Sequence, residues 1–208
     1  IYRSVLQDNG YWGSPEKLGS NVNTPGREEF VSIHPDGRTL YFASDGHPGM
    51  GGLDLFMSKM GPDGKWGKPM NLGYPINTKG NESSVLVTAD GKLAYFHSDR
   101  EGGLGGVDLY TFEVPDHMKP DPVTYLKGTI TDKKTGAPLE ARFELIDLAT
   151  GKRVADSYSD SKGNFLVCIT GGREYMLNVN KEGYLFHSEN FELTEKTDFK
   201  EPYRKDVE

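Results

Sequence analysis

Short apolar stretches separated by turn residues run along the whole chain, and most of them alternate apolar and polar positions. In the first half such stretches stand at 30–33, 39–44 and 53–58, with a further one near 66–72. Alternation over four to eight residues is typical of half-buried β-strands. The Asp-Gly pairs of the turns at 36–37 and 63–64 favour the positive φ that tight hairpins require. The pattern therefore predicts antiparallel hairpins.

The first half of the chain also repeats itself at a spacing of 54 residues. Without a gap, 23 of 58 paired positions are identical. The matched residues include Trp12 and Trp66, Asp54 and Asp108, Gly51 and Gly105, and Gly52 and Gly106. Short strands repeated at this period are typical of propeller blades with four antiparallel strands. We predict a partial β-propeller over residues 1–114: two blades, the second without its fourth strand, and a remnant that opens with the third strand of an earlier blade.

Two blades cannot close a ring, and the exposed edges of an open one favour aggregation. We therefore interpret residues 1–114 as the C-terminal blades of a larger propeller. The chain begins at Ile1 and not at Met. We expect it to be a fragment or a processed product of a longer protein.

The repeat stops after residue 114, and a different pattern begins. Residues 115–124 contain three prolines, which predicts a semi-rigid linker. Six strand-like stretches follow, at 125–132, 141–147, 153–160, 164–170, 174–181 and 187–193. Their number and spacing predict a small β-sandwich over 125–193. Residues 194–208 are charged and lack an apolar period, so we predict a linker to a missing C-terminal domain.

Composition narrows the function classes. The net charge of −7 argues against a nucleic-acid partner, and no apolar run is long enough for a membrane span. The single cysteine, Cys168, excludes an internal disulfide framework, and its apolar strand predicts a buried structural thiol. The five histidines are scattered, and no nucleophile motif occurs. We predict no catalytic residues, no cofactor and no enzymatic activity.

The two glycine-rich loops, 46–53 and 100–107, leave three interpretations open. A phosphate loop needs a Lys followed by Ser or Thr at the start of a helix, and both loops lack this sequence. A calcium ion could be held by Asp45 and Asp54, and in the second copy by Asp99 and Asp108. The favoured interpretation is structural: the glycines adopt positive φ, and Asp54 and Asp108 cap nearby amides. For the matched Trp12 and Trp66 we likewise favour packing between blades over a carbohydrate platform.

Two stretches of the first half, "PDGRTLYFASDGHPGMGGLDLF" and "ADGKLAYFHSDREGGLGGVDLY", resemble the WD40-like (PD40, TolB-type) propeller repeat. The second half resembles the carboxypeptidase regulatory-like domain, a transthyretin-like β-sandwich. The matching residues there are Gly128, Asp132, Thr135, Gly136, Pro138, Leu139, Gly151, Asp160, Gly163, Phe165, Gly183 and Tyr184. This order of domains is similar to OmpA-family peptidoglycan-associated lipoproteins of Bacteroidota, including components of the type IX secretion system. The OmpA-like domain and the N-terminal lipoprotein cysteine of that family are absent from this sequence.

The resemblance implies an all-β, non-enzymatic protein-interaction scaffold of the cell envelope, periplasmic and associated with the outer membrane. Its partners would be other envelope proteins, bound by the propeller loops or by a channel lined near residues 29–32 and 83–87. Peptidoglycan would be bound only through a domain that this chain lacks. Two alternatives remain: an accessory module of a propeller-bearing hydrolase, and a glycan-binding module that uses Trp12, Trp66 and tyrosines.

Overall fold

The computed structural model describes residues 1–7, 9–193 and 202–208, and the chain is all-β with several antiparallel sheets. It divides into two compact units, Ile1–Asp121 and Pro122–Glu208. The strands are β1 (Tyr2–Arg3), β2 (Glu16–Lys17), β3 (Glu28–Ile33), β4 (Thr39–Ser44), β5 (Asp54–Lys59), β6 (Met70–Asn71), β7 (Glu82–Val87), β8 (Leu93–Ser98), β9 (Asp108–Glu113), β10 (Val123–Thr129), β11 (Arg142–Asp147), β12 (Lys152–Tyr158), β13 (Asn164–Thr170), β14 (Arg173–Asn180), β15 (His187–Leu193) and β16 (Tyr203–Arg204). In the described part of the chain, no helix is long and apolar enough to cross a membrane.

The first unit repeats its strand pairing as well as its sequence. Strands β3-β4-β5-β6 form a four-stranded sheet, here called repeat sheet 1, and β7-β8-β9 form a three-stranded one, repeat sheet 2. The small β1-β2 pair matches the last two strands of repeat sheet 1. Tyr2 pairs with Lys17, and 54 residues later Phe56 pairs with Asn71. Three copies of one strand plan are therefore present, only one of them with all four strands.

The two repeat sheets pack face to face through a shared apolar core. From repeat sheet 1 the core takes alternate residues of β4 and β5, including Tyr41 and Leu55, and from repeat sheet 2 it takes Val85, Ala94 and Phe96. The intervening positions of β4 and β5 join Val22 and Trp66 in a second cluster on the opposite side. Repeat sheet 1 thus buries both faces because alternate residues of a strand point in opposite directions.

Residues 115–121 belong to the first unit, although the sequence suggested that a linker begins at 115. A short 3-10 helix, Asp116–Met118, places the Met118 side chain in the core between the repeat sheets. Further along, the Asp121 amide donates to the buried carboxylate of Asp36 (3.0 Å), and Lys59 Nζ donates to the Lys119 carbonyl (2.7 Å).

The second unit consists of two sheets over one core. The sheets are β12-β11-β14-β15 and β13-β10-β16, and the six strands expected from the sequence are present within one to three residues of their expected bounds. Buried side chains from both sheets, including Leu126, Phe143, Phe165 and Leu177, form the core. The apolar alternation of these strands is what places the core between the sheets.

The end of the chain differs from the expectation of a linker over 194–208. Residues 194–201 lie outside the described residues, but β16 pairs in parallel with β10, and Val207 is buried in the core. The Asp206 carboxylate accepts bonds from the amide and the hydroxyl of Thr129 (2.9 and 2.8 Å). The linker prediction is therefore wrong for 203–207, because Tyr203 and Val207 pack against the core and the free side of β10 provides a strand partner.

Candidate functional site

The glycine loops at 46–53 and 100–107 are built in the same way in both repeats. The Asp54 carboxylate accepts bonds from the amides of Met50 and Gly51 (2.9 and 3.1 Å). Asp108 accepts from the amides of Leu104 and Gly105 (2.8 and 3.2 Å). These two aspartates therefore cap the amides of the loop that precedes them, the role that Asx side chains take in turns.

The expectation that the loop glycines adopt positive φ is confirmed at Gly102, whose φ is 88°, but it is wrong for the four paired glycines. Gly51, Gly52, Gly105 and Gly106 all lie outside the left-handed region. In the first copy the reason for glycine is close approach instead. A Cβ on Gly51 would lie 2.2 Å from the Gly80 carbonyl oxygen, and one on Gly52 would lie 2.3 Å from Asn81 Oδ1.

The second glycine pair lacks such neighbours. A Cβ on Gly105 would meet nothing nearer than Asp108 Oδ1 at 3.7 Å, and one on Gly106 would meet nothing within 4 Å. The first pair is thus pressed against the segment 78–81, which leads into the next repeat. The second pair faces open space in the described residues.

A carboxylate network lies beside each loop, buried at Glu82 and half-buried at Glu28. Glu82 accepts from the Thr78 amide (3.0 Å), the Thr78 hydroxyl (2.7 Å) and the Ser98 hydroxyl (2.8 Å). In the first repeat Glu28 accepts from the amide and hydroxyl of Thr24. The sequence shows these residues as identical pairs, but their contact across strands becomes visible only in the structure.

The carboxylates proposed as calcium ligands already have protein partners. Asp45 accepts from the amide and from Nε of Arg27 (2.7 and 2.8 Å), and these bonds lower its pKa. Asn81 does the same for Asp99 through its amide and its side chain. The Oδ1 atom of Asp54 is buried without a hydrogen-bond partner in the described residues, and the same residues hold no group of three His, Cys, Asp or Glu suited to a metal. Calcium remains an untested alternative.

Arg100 is a residue that sequence reasoning missed. Its guanidinium donates to the carbonyls of Pro75 and Ile76 (2.9 and 2.6 Å) and lies 3.5 Å from Glu82. It also stacks over the Tyr110 ring, 4.7 Å from the centroid. Because the equivalent residue of the first repeat is a glycine, the repeat gave no signal for it. Arg100 fastens the loop of repeat sheet 2 to the segment that enters it.

The first strand of each repeat sheet carries an irregularity at the same position. Phe30 and Ser84 have φ of 51° and 52°, inside β-bulges of β3 and β7. Residues with side chains rarely adopt this conformation, and such strain is often found at functional sites. Phe30 is exposed, as are Val31 and Ile33 beside it and Leu86 on β7. These four exposed apolar side chains lie on the first strands of the two repeat sheets and are here called the inner-strand surface.

The two tryptophans differ in environment. Trp66 is buried with Val22, Leu40 and Phe42, whereas Trp12 is 69% exposed. The expectation of packing between repeats therefore holds for Trp66 but not for Trp12 in this chain. Trp66 packs against Leu40 and Phe42. The equivalent partners of Trp12 would lie 54 residues earlier than these two, and the sequence does not contain them. Of the aromatic residues proposed for a glycan platform, Trp66 is therefore buried, whereas Trp12 and tyrosines such as the neighbouring Tyr11 are exposed.

His34 and Asp36 form a buried pair in the β3–β4 turn. His34 Nε2 donates to the Thr88 carbonyl (3.1 Å), and its Nδ1 accepts from the Asp36 amide (3.2 Å). Burial disfavours a charged Asp36, but the bonds that its carboxylate accepts from the Arg38 amide and from the amide and hydroxyl of Thr39 outweigh it and lower its pKa to about 2. The pair thus fastens the β3–β4 turn to Thr39 and to Thr88 within the first unit.

Comparison with known proteins gives no family for the chain. No protein-family model matches it, and no curated protein does. Several solved structures align with it at low identity. The Bacillus anthracis TIE protein has 13% identity and a TM-score of 0.34, covering 81% of this chain and 41% of its own length. The T6 backbone pilin of serotype M6 Streptococcus pyogenes has 12% identity and a TM-score of 0.35, covering 86% and 44%.

The third is the BSP domain of a biofilm-associated protein, with 11% identity and a TM-score of 0.25, covering 82% and 30%. The chain therefore spans less than half the length of each of these structures. Overlaps with such low TM-scores carry no argument about fold or function.

Proposed function

We propose that residues 1–114 are the C-terminal part of a larger β-propeller and that residues 125–193 form a carboxypeptidase regulatory-like sandwich. The exposure of equivalent residues supports the first part. Leu55 is fully buried against repeat sheet 2, whereas its equivalent Leu109 is 63% exposed on the free face of that sheet. Tyr41 is likewise buried, whereas the side chain of its equivalent Tyr95 is 39% exposed. A face that is apolar in both copies but covered in only one implies a further repeat over the second.

The function we propose is a non-enzymatic protein-interaction scaffold in the cell envelope. The resemblance to Bacteroidota OmpA-family lipoproteins, of which PorE of the type IX secretion system is an example, supports a periplasmic, outer-membrane-associated location. The partners would be other envelope proteins. Peptidoglycan would be bound only through a domain absent from this chain. An accessory role beside a hydrolase domain is the alternative, and no observation favours it.

One observation carries the scaffold proposal: the inner-strand surface is exposed and apolar. Phe30, Val31 and Ile33 stand in a row on β3, and Leu86 stands on β7. Exposed apolar side chains grouped on neighbouring strands are typical of protein-binding sites. Both β3 and β7 have a residue with strained positive φ at the same place, which indicates that this backbone shape is needed at the site.

The experiment uses the chain immobilised on resin, exposed to an envelope extract of the cells that produce it. The test variant is Phe30→Asn, because asparagine tolerates positive φ and removes the aromatic ring. The matched control is Ser84→Asn at the equivalent position. We expect a protein retained by the wild type and by Ser84→Asn to be lost with Phe30→Asn, while both variants melt at or above the wild-type temperature.

Two outcomes would contradict the proposal. One is that no protein is retained above the bare resin. The other is that retention is the same with Phe30→Asn as with the control. Retention of glycan polymers, abolished by Trp12→Ala, would favour the glycan-binding alternative instead.

A further inference from the structure

The four edge strands of the second unit are protected unequally. An edge strand presents unpaired backbone groups to any other strand, and proteins usually block such edges with charges, bulges or very short strands. β12 carries Lys152, Arg153 and Asp156 and a register shift against β11. β15 carries two glutamates, and β16 is only two residues long.

β13 has none of these protections. Its seven residues, NFLVCIT, include no charge, no proline and no glycine, and it pairs with β10 without a register shift. On its other side no described strand pairs with it. Leu166 is 62% exposed and Cys168 is exposed, so the sequence-based expectation of a buried thiol is wrong. Only one face of β13 meets the core, and Cys168 lies on the other.

The direction of the backbone groups on this edge follows from the pairing with β10. The Ile130 amide donates to the Gly163 carbonyl (2.8 Å), so residue 163 faces β10. Successive residues of a strand direct their backbone groups to opposite sides, so Leu166 and Cys168 direct theirs to the open edge. The neighbouring outward carbonyls are already used: that of Asn164 accepts from the Asp160 amide (2.9 Å), and that of Thr170 from the Tyr175 hydroxyl (2.8 Å).

We propose that this edge is a self-association site at which β13 pairs antiparallel with β13 of a second copy of the chain. With Leu166 opposite Cys168 of the other copy, the outward N–H and C=O groups of both residues find partners in both copies. The arrangement is two-fold symmetric, the commonest symmetry of homodimers. Because the strand is uncharged, self-pairing places no like charges opposite each other. A charged peptide would find no complementary charge along this strand.

This register makes a prediction about cysteine pairing. Directly opposite residues of a hydrogen-bonded pair have Cα atoms about 5.5 Å apart, within disulfide range. Diagonal neighbours are about 7–8 Å apart, which is too far. Cys168 lies diagonally from Cys168 of the second copy, whereas a cysteine at position 166 lies directly opposite it.

The first test is oxidation of Leu166→Cys in the full chain, read by non-reducing electrophoresis and intact mass. We expect a disulfide-linked dimer, which a reductant converts back to the monomer. We expect little or no covalent dimer from the wild type or from Leu166→Cys/Cys168→Ser, because the cysteines of the two copies are then only diagonal neighbours. Equal crosslinking in all three proteins, or none in any, would overturn the proposal.

The second test measures association without a crosslink, by sedimentation velocity over a concentration series. The wild type should show a monomer–dimer equilibrium that Leu166→Lys shifts to the monomer. The control Leu185→Lys, at an exposed leucine between β14 and β15, should leave it unchanged. A wild type that stays monomeric at its highest soluble concentration contradicts the proposal, as does a dimer that persists in Leu166→Lys. Thermal melting checks that the variants fold.

Discussion

Replacing Gly51 with alanine should destabilise the first unit, whereas the same change at Gly105 should not. A Cβ on Gly51 would lie 2.2 Å from the Gly80 oxygen and 2.5 Å from the Thr78 oxygen, both of them backbone atoms. The segment 78–80 must therefore move by about 1 Å, which costs roughly 1–3 kcal/mol in a packed region. It would also weaken the 3.0 Å bond from the Gly52 amide to Gly80, worth about 1 kcal/mol.

The matched change at Gly105 adds only an ordinary contact, 3.7 Å from Asp108 Oδ1. Since φ there is not positive, alanine should stabilise the fold by about 0.4–1 kcal/mol through the unfolded chain. Urea denaturation with a common m-value measures both free energies of unfolding. We expect Gly51→Ala to be less stable than Gly105→Ala by about 3 kcal/mol. Equal stabilities would refute the claim that the first glycine pair exists for close approach between repeats.

Three further predictions concern the core, acid stability and calcium. Leu55→Ala should cost about 2–5 kcal/mol and Leu109→Ala less than about 0.5 kcal/mol in urea denaturation, since only Leu55 is buried; similar costs would contradict the packing. The pKa of Asp36 is lowered from 3.8 to about 2, so its stabilisation, roughly 2 kcal/mol, is present above about pH 4 and lost towards pH 2. The wild type should therefore exceed Asp36→Asn in stability at pH 6 but not at pH 2, and a gap independent of pH would count against this. Calcium should leave the melting temperature unchanged, and a rise that Asp54→Asn abolishes would establish an ion in the loop.

The strands were predictable from sequence because alternation of apolar and polar residues fixes their period. The purpose of the glycine pairs was not predictable. Self-comparison shows that Gly51 and Gly105 are equivalent, but it does not show which backbone lies against the first and not the second. The environment of Cys168 was misjudged for a related reason. An uninterrupted apolar stretch predicts burial on both faces, yet β13 is an edge strand with one face to the core.

Other features lack any sequence signal of their own. Arg100 occupies a position where the first repeat has glycine, so the repeat gave no indication of its bonds to the carbonyls at 75 and 76. β16 is two residues long and lies in a charged segment, and its position depends on the free side of β10. Contacts between residues far apart in sequence decide such features, and local periodicity does not encode them.

If residues 1–114 are part of a larger propeller, further protein must cover the free apolar face of repeat sheet 2 in the full-length protein. The direct test is maleimide labelling of Leu109→Cys in a Cys168→Ser background. Labelling should be fast in the isolated 208-residue chain, where position 109 is exposed. In the protein as its own cells produce it, we expect labelling to be slowed at least tenfold. Equal rates in the two settings would contradict the account.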